Sequence, residues 1–518
     1  MKVSDPSQLW EIVKGKIKKQ WVIVFLTTFI LGLVAHATIM LQDIPNHDGL
    51  SSMYFDQNMI TSGRWFLGVA CGFSSYFTLP WLIGLLGLLL LATTAVVLTD
   101  LLQIDSAWAG SLVGGLLVTF HALTSTFAYV YTLDGYMLGL LLSVLAVWFA
   151  SKGGKKWMFG ALCLAFSMGV YQAYLPFAIL LSFYGVLICF IELQGVKEKI
   201  KCLTSYLAMG ICGMALYYVI LQVLLWIQGK QLASYQGIDG MGSLKGLSLL
   251  GTVKAIFQDF LQFTIKGHVL FNNLFSAIAL CLLAVLTGII LFVLTQKKGL
   301  FKKLWFYLIL LATAVILPVA TNVILIISPG VNYHLLMRYQ WVLFVVLMLA
   351  FCCRYVGVLK QNMALGKWVV LLCVFVLTFN YLVVDQIAYS NLDKKYEKTY
   401  SYCVRLLDRM EQTQGYYPGI PVAMIGVVSD ERYPVTDITG EVTGSIIGTT
   451  GDYLLYTSAN YASFMKHYMG VELNPVSDEE MLQIYDSKEY RELQSFPDKN
   501  SMKVVDGVLY VKTENVAK

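Results

Sequence analysis

The sequence predicts an α-helical polytopic membrane protein with about eleven transmembrane helices and a small external α/β domain at the C-terminal end. Three observations lead there. The chain of 518 residues is 57% hydrophobic and 13% charged, whereas a typical soluble domain is about 25% charged; its mean hydropathy is +0.66. Apolar runs of roughly 20 residues, the length that crosses about 30 Å of hydrocarbon, recur from Trp21 onward. After about residue 390 the runs stop, and the remainder is polar and rich in Tyr, Asp and Glu.

The spans fall at 21–40, 80–99, 107–127, 135–150, 157–173, 175–193, 204–227, 275–295, 304–327, 340–356 and 367–386. A basic segment, 14–19, precedes the first run without a clean small-residue cleavage site behind it, so the run reads as a retained helix. Lys and Arg cluster at 14–19, 152–156, 197–201, 297–303 and 354–367. Alternating the spans puts every cluster on one side, the cytoplasmic one, with the N-terminus. Loop 100–106, with two aspartates and no cation, is the exception.

The external segments are then 41–79, 128–134, the turn at 172–176, 228–274, 328–339 and everything after about residue 390. This divides the chain into a transmembrane domain, 1–390, and an external soluble domain, 391–518. Loop 228–274 contains GIDGMG and an amphipathic stretch, 253–265, suited to lie on the membrane surface as a lid, a packing element or a substrate contact. In the C-terminal domain, 392–414 has helical periodicity, 420–428 and 503–512 read as short strands, and 437–452 reads as a Thr- and Gly-rich loop. The domain has no P-loop and no Rossmann glycine pattern. Its plainest role is a cap on the bundle or on a partner.

The net charge of +5 is modest, and no basic stripe is interleaved with aromatics, so nucleic acid is not an expected partner. Most of the ten cysteines (Cys163, Cys189, Cys212, Cys281, Cys352, Cys353 and Cys373 among them) lie in apolar runs and read as small hydrophobes. No CxxC, zinc spacing, HExxH or Ser–His pair at motif spacing occurs. No metal ligands and no cofactor are assigned.

Chemistry points to the first outer loop, which holds Asp43, His47, Asp48, Asp56 and Arg64. A sugar hydroxyl is a poor nucleophile until a carboxylate takes its proton, a contribution of typically 10²–10⁴-fold. A lipid-phosphate leaving group needs charge neutralisation instead. One base and one or two cations therefore suffice. Asp48 is the leading base, His47 a neighbour able to orient the acceptor, and Asp43 an alternative base; 46–49 also reads as a simple turn. Before the last inner loop the only arginines are Arg64 and Arg338, both on the external side, where positive-inside bias disfavours them. Each reads as a phosphate-binding fork or as an interfacial anchor. Lys266, His268 and His334 are weaker candidates of the same kind. Asp134, at the mouth of the fourth span, reads as a helix cap or as a second acid that contacts acceptor hydroxyls. His36, His121 and Asp385 read as packing residues.

The patches HDG at 47–49, GRW at 63–65, LDGY at 133–136 and VVDGVLYVK at 504–512 give the chain its likeness to known proteins. It resembles the bacterial O-antigen-modifying glucosyltransferase family, within the GT-C superfamily. Members often carry paired acids after the first span, where this chain has His47-Asp48. The resemblance implies a GT-C-like catalytic bundle in the bacterial plasma (inner) membrane and an undecaprenyl-phosphate-linked hexose, usually glucose, as donor. It further implies transfer on the external face, with inversion, to a surface polysaccharide or its lipid-linked precursor. Membrane lipid, a donor-synthesising glycosyltransferase and a flippase are the implied partners. On this reading Asp48 is the base, Arg338 with Arg64 holds the donor phosphate, and Asp134 helps to place the acceptor. A polysaccharide polymerase or ligase, and a lipid-linked sugar transporter or flippase, are the competing expectations.

Overall fold

The structure is a computed structural model. It describes every residue except 1–4, 6–13, 16, 53–58, 73–78, 234–248, 267–268, 329–330, 426–439, 444–445, 452–453 and 514–518. Asp56, His268 and the GIDGMG stretch lie outside the described residues. Apart from single-turn helices, the α-helices up to Glu411 are, in order, α1 (Lys19–Leu41), α2 (His47–Ser52), α3 (Pro80–Leu101), α4 (Ala107–Thr119), α5 (His121–Ala128), α6 (Leu133–Ser151) and α7 (Trp157–Val170). They continue with α8 (Leu175–Glu192), α9 (Val196–Gln228), α10 (Leu249–Leu261), α11 (Leu274–Lys297), α12 (Leu304–Thr321), α13 (Leu343–Tyr355) and α14 (Met363–Glu411).

Among the described residues, eight helices are long and apolar enough to cross a membrane, or nine if the bent pair α4–α5 is one span. The expected positions are helical, but not all as separate full-length spans. α7 has 14 residues, about 21 Å of rise, which is shorter than the hydrocarbon core. The last two expected spans lie in one helical run, Tyr339–Glu411, interrupted where Lys360 turns to φ 51°. With no Gly or Pro between 386 and 392 to stop it, α14 includes the polar stretch that the sequence suggested was a separate helix.

The chain forms two compact units. The first comprises Met1–Leu41, Asn58–Ser75 and Leu79–Gln386; the second comprises Gln42–Gln57, Tyr76–Thr78 and Ile387–Lys518.

In the first unit, polar side chains hold the bundle where the backbone departs from helix. The α4–α5 pair bends by 43° at Phe120, whose ψ of 130° is extended. The carbonyls freed there find partners: His36 Nε2 lies 2.7 Å from Val118 O, and the Tyr339 hydroxyl donates to Leu117 O. Such bends need inserted partners, because hydrocarbon offers no water to an orphaned carbonyl. Next to the bend, Asp385 is fully buried. Its Oδ1 lies 2.9 Å from His121 Nδ1 and accepts from Thr124 Oγ1 at 2.6 Å. The apolar setting of His36 and His121 therefore gives core residues that each have a polar partner, while Asp385 packs beside them through Oδ1 alone, its buried Oδ2 having no hydrogen-bond partner among the described residues. Cys189 departs from its expected role as a lone packing residue, since it is paired with Cys202 in a disulfide.

The acidic loop that broke the charge pattern is a counter-charge. Asp100 meets Lys18 at 3.0 Å and Lys152 at 3.3 Å, and accepts from Trp148 Nε1 at 2.9 Å. It thus joins two basic clusters at one end of the bundle. Lys297 and Lys298 likewise donate to Val358 O and Ile191 O at 2.6 and 2.9 Å, and Arg354 grips Glu192.

The second unit contains a mixed four-stranded sheet. Its strands are β1 (Pro421–Ile425), β2 (Asn474–Pro475), β3 (Met502–Val505) and β4 (Val508–Lys512), ordered β2-β1-β4-β3. β1 pairs parallel with β2 and β4; β3 and β4 are antiparallel, with Val505 opposite Val508. The expected strand at 503–512 is thus a hairpin. Asp506 and Gly507, both at positive φ (48° and 80°), make the two-residue turn that Asp-Gly favours. Ala423, Ile484, Tyr490, Leu493 and Tyr510 form a small core beside the sheet.

Replacing Asp385 with Ala leaves His121 and Thr124 without their acceptor, and is expected to cost about 3 kcal/mol of stability or more. Asp385→Asn retains an acceptor oxygen and should cost less. Thermal unfolding in detergent checks this; coincident melting of Asp385→Ala and the parent protein would remove the proposed role of the pair.

Candidate active site

Of the candidate residues, Asp43, His47 and Asp48 belong to the second unit, and Arg64, Asp134, Lys266, His334 and Arg338 to the first. Each group is described within its own unit.

Asp48 occupies the first turn of α2. Asn46 caps this short helix: its Oδ1 accepts from Asp48 N at 2.9 Å, and its carbonyl from Leu50 N at 2.9 Å. The stretch that reads as a simple turn is therefore a capped helix start. C-terminal residues fasten α2 from the side. Asn460 Nδ2 donates to His47 O and Ser463 Oγ to Leu50 O, both at 3.3 Å. The His47 ring meets Tyr456 edge-on at 4.6 Å. His47 Nε2 stands 3.4 Å from Asp48 Oδ1, and the Asp48 side chain is 50% exposed. The carboxylate thus has one oriented neighbour and an open side.

A cation also acts here. Lys395, on α14, is buried and donates to Thr450 O at 3.0 Å. Burial pushes the His47 imidazole below its ordinary value; the Asp48 charge opposes this and Lys395 reinforces it. Burial, then the charge of Asp48, raises the Tyr456 phenol. Asp43 belongs to the same neighbourhood: its charge helps to raise Tyr396, mainly a burial effect, with Tyr400 contributing. Next to Asp43, Gln42 bonds Asp393 at 3.1 Å. Sequence reasoning missed Lys395, Tyr456 and Asn460, which lie hundreds of residues from Asp48 and match no local motif.

In the first unit, Arg64 is held by Ser62 Oγ at 2.9 Å and reaches the Tyr136 hydroxyl at 3.5 Å. Tyr136 stacks on Tyr171 at 4.8 Å. The turn before Arg64 is fixed by Gln172, which donates to Ser62 O, and by Tyr217, which donates to Gly63 O, both at 3.0 Å. Gly63 has φ +77°, where an added Cβ would also strike Gln172 and Tyr217. The GRW patch is therefore a built turn presenting a guanidinium among tyrosines. Nearby, Asp134 is buried in the first turn of α6 and accepts from Gly135 N at 2.9 Å. Thr132, not Asp134, occupies the cap position, so the plain-cap reading of Asp134 is corrected.

Arg338 is buried, and its fork faces a partner that the sequence did not suggest. Nη1 and Nη2 donate to the two carboxylate oxygens of Asp259 at 2.6 and 2.7 Å. Nε and Nη2 also donate to Tyr333 O at 3.0 and 2.6 Å, and the plane is sandwiched between Phe263 and Tyr333 at 3.5 and 3.6 Å. Asp259 is on α10, within the amphipathic stretch, so Arg338 here clamps that helix. A phosphate would first have to displace Asp259. Asp259 is the one acid in 249–266, a signal the pattern contained. Lys266 ends the π-helical turn after α10 and is exposed; His334 precedes the 3₁₀ turn Leu335–Met337. Among the described residues, no group of three or more His, Cys, Asp or Glu is arranged to hold a metal ion.

A bundle of eight or more helices long and apolar enough to cross a membrane, among the described residues, defines a polytopic membrane protein. The chain belongs to the glucosyl transferase GtrII family, whose profile it matches over residues 37–355, more than half its length. That membership, the resemblance seen in the sequence patches, makes it a membrane glucosyltransferase by family. The matched range includes every candidate residue from Asp43 to Arg338. No curated protein and no solved structure matches the chain.

Two outcomes are expected. Unfolded histidine protonates near 6.5 whereas folded His47 resists it, so the unfolded state binds more protons just below that pH. Stability should therefore be complete above about 6.5 and fall as pH drops toward the lowered folded value. His47→Gln should flatten that part of a pH–melting profile; an unchanged profile would contradict the assignment. Arg338→Lys keeps the charge but loses the fork and both stacking faces. It should cost about 2–3 kcal/mol and expose Lys254 and Lys266 to faster trypsin cleavage in folded protein.

Proposed function

We propose that this protein transfers a hexose, glucose by family, from an undecaprenyl-phosphate-linked donor to a surface polysaccharide or its lipid-linked precursor, with Asp48 as general base. The family match over a range that contains Asp48 carries this reading; the half-open carboxylate beside a neutral-favouring imidazole supports it. Asp48 takes the proton of the acceptor hydroxyl as its oxygen attacks C1. The bond from C1 to the phosphate oxygen breaks with inversion, and lipid phosphate leaves with the electron pair. His47 orients Asp48, and Asp43, the alternative base, is assigned to the acceptor hydroxyls. No metal or cofactor enters the scheme.

The donor phosphate is assigned to Arg64 in place of Arg338, because the fork of Arg338 is spent on Asp259. Arg338 then acts by holding α10, with Lys266 and His334 as donor-headgroup contacts of that region. Asp134 positions acceptor hydroxyls. Lys395 adds positive charge near the base. The topology that goes with this scheme has about eleven crossings, with α7 as a short one and the run after Tyr339 divided at Lys360. The basic loops face the cytoplasm of a bacterial inner membrane, and the chain after about residue 390 is external, where it helps to receive the glycan.

Asp48→Asn should lower kcat by about 10²–10⁴-fold with folding intact, measured as release of lipid phosphate and gain of acceptor mass. Arg64→Ala should lower it by about 10²–10³-fold. Full turnover in Asp48→Asn would end the assignment. Loss of donor from one leaflet without free lipid phosphate would mark a transporter instead.

A further inference from the structure

The basic end of the first unit carries a feature that sugar transfer does not use. α12 is poorly packed, with 17% of its apolar window buried. A groove runs along each side of it. One, of about 460 Å³, lies among α8, α9 and α12; the other, of about 400 Å³, lies among α8, α11, α12 and α13. Both are lined almost wholly by apolar side chains, and Phe183, Leu187, Phe190 and Ile309 belong to both walls. The grooves are two channels on either side of one ridge.

At the basic end of that ridge stands Trp305, tilted against Phe190 at 6.1 Å. Lys199 Nζ sits 4.7 Å above the Trp305 ring and Lys303 Nζ 5.8 Å above it. Among the described residues, neither lysine has a carboxylate partner. Glu192, at the end of α8, is taken up by Arg354 at 2.7 and 2.6 Å and by the Tyr355 hydroxyl at 2.8 Å. Tryptophan and lysine at such a level mark the headgroup layer, and basic pockets between transmembrane helices suit anionic headgroups.

We propose that this is a binding site for one anionic diacyl phospholipid of the surrounding bilayer. Its phosphate lies between Lys199 and Lys303 against Trp305, and its two acyl chains take the two grooves and brace α12. The two grooves share Phe190 at this end, where Trp305 and Lys199 pack against it, and two chains on one head suit two grooves that share a wall. The inference is independent of the assignment of Asp48.

The test uses the full-length protein in phosphatidylcholine nanodiscs, titrated with phosphatidylglycerol and read by native mass spectrometry and melting temperature. Saturable retention of one phosphatidylglycerol with a raised melting temperature is expected. Lys199→Gln with Lys303→Gln should weaken it about thirtyfold, roughly fivefold for each lysine. Lys155→Gln with Lys156→Gln, in another basic cluster, should leave it unchanged. Ile309→Trp, which fills the shared wall, should lower retention of long-chain lipid more than of a dioctanoyl analogue. Equal retention of phosphatidylcholine, equal loss in both lysine pairs, or no chain-length effect would overturn the proposal. Displacement by equimolar undecaprenyl phosphate would overturn it in favour of a polyprenyl site.

Discussion

The bundle depends on satisfying polar groups where water is absent. Where the α4–α5 pair bends at Phe120, two carbonyls leave the helical ladder, and the bend persists because His36 and Tyr339 supply partners. Asp385 then binds His121 and Thr124 across the same region. These contacts join α1, α4, α5, α14 and the turn before α13. Isolated, each polar group would be expensive in hydrocarbon; together they set the direction of α5, and so of the chain entering α6 at Asp134.

A similar economy organises the basic end. Asp100 ends a helix just before a short stretch that has no cation of its own, and it draws Lys18 and Lys152 together. Ion pairs of this kind, partly exposed, add little stability. Their consequence is geometric: neighbouring loops are held on one face. Arg338 and Asp259 are the buried counterpart, with a fully used fork and two aromatic faces. The residue that most resembled a phosphate ligand in sequence has become the fastening of an amphipathic helix.

The environment of Asp48 shows how a short element gains definition. A six-residue helix has little stability of its own, and α2 is defined by Asn46 at its start and by Asn460 and Ser463 on its carbonyls. Its proton chemistry is likewise assembled from afar. Tyr456 and Lys395 surround an imidazole that favours its neutral form, a state suited to orienting a carboxylate without neutralising it.

Composition and the spacing of apolar runs were enough to identify a polytopic membrane protein, because span length and charge asymmetry are one-dimensional properties of the chain. The Asp-Gly turn and the amphipathic stretch 253–265 were readable for the same reason: each depends on residues close in sequence. The local patches also carried the family. Tertiary structure alone decided that Arg338 belongs to Asp259, that Asp100 is a counter-charge, that two expected helices merge in α14, and that Asp48 is surrounded by residues some 350 to 410 positions away. Such partnerships depend on distances between segments, and hydropathy and spacing contain no term for them.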